Sequence, residues 1–97
     1  MLIKAGVDIS RLQPKIRKRL KQIETIVWNA INEELIITST YEGDHGASSL
    51  HYADSAIDIR RSNKPDKIVM EIKLALGKDY DVILENNHIH IEYDPIS

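Results

Sequence analysis

The sequence predicts an α+β domain, with two helices packed on one face of a mainly antiparallel sheet. Three observations carry that expectation. Two stretches repeat apolar residues at steps of three and four, and five short stretches either alternate apolar with polar or run β-branched. The two kinds follow one another as β-α-β-loop-β-α-β-β.

Taken in chain order, Val7-Asp8-Ile9 alternates and reads as a short edge strand. Ser10 or Gln13 then caps a helix, with Pro14 suited to its first turn. Leu12, Ile16, Leu20, Ile23, Val27, Ala30 and Ile31 form its apolar face. Its other face carries Lys15, Arg17, Lys18, Arg19 and Lys21, read as a solvated surface, with contact to an anionic polymer as the alternative. Leu35 to Ser39 is a β-branched strand, and residues 40–54 are a polar loop. A loop of that length in a small domain is usually functional. Ala56 to Arg60 alternates as a strand, and Pro65 opens a second helix through Ile68, Ile72, Ala75 and Leu76 that Gly77 stops. Tyr80 to Leu84 and His88 to Tyr93 form a hairpin around Glu85-Asn86-Asn87.

Composition narrows the function. The 97 residues make one domain, spanning 1–97, with 42% hydrophobic and 29% charged residues typical of a globular protein. No Phe and one Trp leave the core to aliphatic side chains. The absence of Cys excludes disulfides, Cys-based zinc fingers and thiol nucleophiles. A net charge of −2 argues against general nucleic-acid binding, and no apolar run spans a bilayer. Met1-Leu2-Ile3-Lys4 lacks the apolar stretch of a secretory signal, which predicts a chain that stays cytoplasmic as synthesised. Polar chemistry therefore falls to His, Asp, Glu and Ser.

Strand alternation collects such residues. Ile57 and Ile59 share one face, with Ala56, Asp58 and Arg60 on the other; Ile89, Ile91 and Tyr93 likewise oppose His88, His90 and Glu92. If the isoleucines cover the helices, Asp58, His88 and His90 project together, and His51 at the end of the loop can fold over them. Two imidazoles and a carboxylate suit zinc and leave a fourth position open, as catalytic sites require. The bland alternative is a surface His pair arising by chance. His45 reads as a loop residue.

Ser49-Leu50-His51-Tyr52-Ala53-Asp54-Ser55-Ala56-Ile57-Asp58 resembles the S-x-H-x-x-G-x-A-x-D motif of M15 zinc peptidases. These include D-Ala-D-Ala carboxypeptidases and dipeptidases and phage L-alanyl-D-glutamate endolysins. His88-Ile89-His90-Ile91-Glu92-Tyr93-Asp94-Pro95 is similar to the C-terminal H-x-H strand of small phage-borne members. Asp54 stands where the family usually has Gly. The resemblance implies the M15/hedgehog-type DD-peptidase fold, with His51 and Asp58 as the first two zinc ligands. The third is His90, with His88 as the alternative.

The family's catalytic carboxylate lies three residues before the last ligand. With His90 as ligand that position is Asn87, which cannot accept a proton; with His88 as ligand it is Glu85. Three readings stay open: Glu85 or Glu92 acts from a shifted position, zinc is a staple in an inactive domain, or an Asp has been changed to Asn. The implied reaction is zinc-assisted hydrolysis of a peptidoglycan stem peptide, by a carboxypeptidase or an endolysin of bacteriophage or prophage origin. His88 would stabilise the oxyanion, Arg60 (or Arg61) would hold the substrate carboxylate, and Ser49 and Ser39 would orient groups. Family members of phage type carry an Arg four residues before His51, where this chain has Ala47. Such an enzyme would act at the periplasmic wall after phage lysis and need a partner such as a holin to reach it. A non-catalytic wall-binding or virion module on the same scaffold, and a metal-free structural domain, are the competing classes. Oligomeric state is open.

Overall fold

The computed structural model describes residues 1–10, 12–40 and 55–95. Among them the elements are β1 (Leu2–Ile3), α1 (Pro14–Arg17), α2 (Leu20–Ile31), β2 (Ile36–Ser39), β3 (Ala56–Arg60), α3 (Pro65–Leu76), β4 (Tyr80–Leu84) and β5 (His88–Tyr93). The fold is α+β, as expected. Its five strands lie in the order β1-β2-β3-β5-β4, antiparallel at every junction except β1–β2. The strand α3 leads into, β4, therefore lies at the sheet edge, and β5 returns to pair between β3 and β4.

The last four elements form where the sequence places them. Pro65 fixes the first turn of α3 and Asp66 meets its positive end. Gly77, at φ 86, closes it with its N–H on the Lys73 carbonyl. The hairpin β4–β5 keeps an unbroken register from Tyr80↔Tyr93 to Leu84↔Ile89.

Two expectations at the start of the chain need correction. Val7–Ile9 is not a strand. Gly6, at φ 88, reverses the chain, the Val7 N–H donates to the Lys4 carbonyl, and the Ser10 N–H donates to Asp8 Oδ1 at 2.8 Å. Val7 and Ile9 pack on the core from this turn, and the edge pairing is made instead by Leu2–Ile3, parallel to β2.

The first helix is also broken, at Lys18–Arg19. The Arg19 N–H bonds back to the Ile16 carbonyl rather than to Lys15, a tighter turn of 3₁₀ type. The Lys15 carbonyl accepts instead from the Tyr80 hydroxyl at 2.6 Å, while Arg19 Nε donates to that hydroxyl at 3.3 Å. Apolar spacing does not register the break, because Leu12, Ile16, Leu20, Ile23 and Val27 are all buried across it.

Helices and sheet enclose one aliphatic core. Ile16, Ile23, Ile37, Ile57, Ile59, Ile68, Ile72, Ile89 and Ile91 have almost no exposed surface. Tyr80 is the one aromatic among the buried described residues, edge-on to Tyr93 with ring centres 5.2 Å apart. Three of the five basic residues of the first helical region also contact the rest of the fold. Arg17 donates to the Ile9 and Ser10 carbonyls, Arg19 lies over the Tyr80 ring and Lys15 over Tyr93. No described helix is long and apolar enough to cross a membrane.

Candidate metal centre

The two central strands hold the candidate site. Cross-strand partners in an antiparallel pair share a face, so the register Ala56↔Glu92, Asp58↔His90 and Arg60↔His88 places all six on the side away from the isoleucines. The expected convergence of Asp58, His88 and His90 is present. The face is not open at its centre, however: Ala56 and Asp58 are buried, at 0% and 7% exposure. A buried carboxylate needs compensating partners.

Asp58 has them. His90 Nδ1 lies 2.9 Å from Asp58 Oδ1, and His88 Nε2 lies 3.6 Å from the same oxygen. Each imidazole is held from behind. His90 Nε2 is 2.5 Å from Glu92 Oε1, and His88 Nδ1 is 2.6 Å from Asn87 Oδ1. A carboxylate or amide oxygen only accepts, so each rear nitrogen donates and each front nitrogen is turned toward Asp58.

This donor set fits zinc. Neutral imidazole nitrogen and carboxylate oxygen are its usual ligands outside thiolate sites. Zinc–ligand bonds of about 2.0–2.1 Å imply ligand atoms roughly 3.4 Å apart in a tetrahedron; Asp58 Oδ1 and His90 Nδ1, in direct contact at 2.9 Å, would part by about half an ångström to admit the ion. Glu92 behind His90 is the carboxylate that orients a ligating histidine. His90 also has the less exposed side chain of the two, 14% against 30% for His88.

Burial pulls the His90 pKa down, but the hydrogen bonds and charges of Asp58 and Glu92 outweigh it, and the net shift is upward. In the metal-free site His90 is thus biased toward imidazolium, held between two carboxylates.

Beyond Glu92 lies an acidic group that strand alternation alone did not reveal. The ligand oxygens of Asp81, Glu92 and Asp94 lie within 4.8 Å of one another. Burial, then the Asp94 and Glu92 carboxylates, raise the Asp81 pKa. The signal was available in the hairpin register, which sets Asp81 opposite Glu92.

The remaining candidates are placed as follows. Arg60 is exposed beside His88, on the face of Asp58. Arg61 is exposed, and its Nη1 donates to the Glu85 and Asn86 carbonyls of the hairpin turn. Glu85 is exposed at that turn, and its N–H donates to the His88 carbonyl. Ser39 lies opposite Asp58 at the irregular end of β2. His51 and Ser49, with His45 and Ala47, lie outside the described residues.

The model of the Hedgehog amino-terminal signalling domain matches residues 5–93, nearly the whole chain. The chain belongs to the Hedgehog amino-terminal signalling domain family. This Hedgehog domain falls in the zinc-peptidase-like fold superfamily, to which M15 enzymes are related. The match thus gives the peptidase-like scaffold and its relation to zinc enzymes; it does not name M15 itself. No curated protein matches this chain.

Proposed function

We propose that this Hedgehog-type domain is a zinc-dependent peptidase acting on peptidoglycan stem peptides, at a D-Ala-D-Ala or L-Ala-D-Glu type bond, and that it is phage or prophage encoded. The observation that carries the reading is the aligned row Asp58–His90–Glu92, a buried carboxylate facing an imidazole that a second carboxylate orients. His51, Asp58 and His90 hold the ion, and Glu92 fixes the tautomer and ring plane of His90. Zinc, when bound, polarises the scissile carbonyl and makes water acidic near neutral pH.

The chain's own residues divide the rest. His88 is half-buried at the edge of the site with Nδ1–H given to Asn87, which leaves its Nε2 on the Asp58 side, beside the place of the ion. It accepts a proton there as a neutral base, or stabilises an oxyanion once protonated. Arg60, next to it in register, pairs with the free carboxylate of a stem peptide.

Incubation with purified peptidoglycan and with D-Ala-D-Ala peptides tests the reading. Zinc-dependent release of new amino termini, lost in His90→Ala, supports it. Stoichiometric zinc binding without cleavage of any stem peptide overturns the enzyme. That result favours a binding module on the same scaffold, the reading suggested by an amide at Asn87 where related peptidases carry an acid.

A further inference from the structure

We propose that the outer edge of β4 is a docking site for an extended acidic peptide, which adds to the sheet as a sixth strand. The ladder itself shows which backbone groups are offered. The Glu85 N–H donates to the His88 carbonyl at one end of the hairpin, and the Asp94 N–H donates to the Asp79 carbonyl at the other. Hydrogen-bonded pairs alternate in an antiparallel ladder, so Asp81 and Ile83 bond inward to β5. The N–H and C=O groups of Val82 and Leu84, with the Tyr80 carbonyl, therefore point away from the sheet. No described strand pairs with that edge.

Edge strands are normally blunted by Pro, Lys, a bulge or a covering element. β4 reads Tyr-Asp-Val-Ile-Leu, without Pro or Lys, and its register shows no bulge. A groove of about 760 Å³ runs beside it, bounded by Lys73, Leu74 and Lys78 at the end of α3 and by β4 from Tyr80 to Ile83.

Charge selects the occupant. Lys73 and Lys78 are exposed on the helix side, while Asp81 turns toward Glu92 and Asp94 on the opposite face, beside the 45% exposed Ile83. A strand added here presents alternate side chains to the two faces. Acidic residues on the helix side meet the lysines, and apolar residues on the other side meet Ile83 without adding charge near Asp81. A second copy of this chain is the competing occupant, and the concentration dependence of edge protection separates it from a peptide. The site is independent of whether Asp58 and His90 hold a metal.

The test titrates an acetylated, amidated hexapeptide alternating Val and Glu into the isotope-labelled full chain, with the Val-Lys counterpart as control. Expected are amide shifts centred on residues 73–84 and slowed exchange at Val82 and Leu84, for the Glu peptide only. The double variant Lys73→Glu, Lys78→Glu, altered only at exposed positions, should bind the Glu peptide about tenfold more weakly, as two exposed ion pairs allow, and should now prefer the Lys peptide. Shifts centred elsewhere, no shifts, or an unchanged preference in the variant overturn the proposal. Protection of Val82 and Leu84 that rises with protein concentration and needs no peptide also overturns it, in favour of self-pairing.

Discussion

Asp58 and His90 are direct partners across the two central strands, with Oδ1 and Nδ1 2.9 Å apart and both side chains largely withdrawn from solvent. Each side chain accounts for the other's burial. The carboxylate needs a cation or a donor, and the imidazole carries Glu92 at its back to keep that donor, or a metal, in line.

Glu92 orients rather than ligates in this arrangement, and its removal should weaken the site without erasing it. Glu92→Gln is expected to lower zinc affinity by about 10- to 100-fold, the usual effect of losing such a partner. Competition with a chromophoric chelator measures it. Unchanged affinity would show that His90 needs no support from Glu92.

The upward shift of His90 gives the metal-free protein a pH dependence of definite sign. A histidine whose folded pKa exceeds its unfolded value contributes stability that is fully present below the unfolded value, near 6.5. That contribution is lost as pH rises through the raised folded value. Chelator-treated protein should therefore lose stability as pH rises from about 6.5 in denaturant titrations, and His90→Gln should flatten the profile. A stability that rises over the same interval contradicts an imidazolium between Asp58 and Glu92.

Asn87 is bound to His88, not presented to the centre of the site. Replacing it by Asp keeps the acceptor and adds a charge that favours protonated His88. Hydrolysis of stem peptides by Asn87→Asp should rise at least about tenfold, a small part of what a placed acid or base supplies, with zinc content unchanged. An unaltered rate removes position 87 from the proton-transfer step.

Away from the site, the hydroxyl of Tyr80 serves the Lys15 carbonyl that the helix break leaves without its usual partner. Tyr80→Phe should cost about 0.5–1.5 kcal/mol in urea unfolding, the net worth of one part-buried hydrogen bond. A loss well below that range means water reaches the carbonyl.

Asp81, whose pKa is raised by burial and by its acidic neighbours, resists ionisation in the fold. Asp81→Asn should therefore stabilise the protein near pH 7 and make no difference in acid, where the native carboxyl is already protonated. Thermal melts at the two pH values decide the matter; destabilisation at neutral pH would show that the charge is held by a cation.

Much of this was legible in the sequence because period and register are local properties. Ala56–Arg60, Pro65–Leu76 and the hairpin strands were readable from alternation, Pro and Gly, and alternation alone put Asp58, His88 and His90 on one face. The helix break was not readable, because the carbonyl it frees is taken by the hydroxyl of Tyr80, sixty-five residues away. Val7–Ile9 misled because two apolar residues around an Asp fit a turn as well as a strand, and Gly6 decided it. The backing of His90 by Glu92, two residues along the same strand, was visible in spacing, but its tie to Asp81 and Asp94 required the register.

The central claim is that Asp58 and His90 are zinc ligands and His88 is not. Zinc per chain, measured by elemental analysis after dialysis, tests it most directly in the wild type, Asp58→Asn, His90→Ala and His88→Ala. The account predicts one equivalent in the wild type and His88→Ala, and almost none in the other two. A full equivalent in His90→Ala, or its loss in His88→Ala with His90 intact, contradicts it.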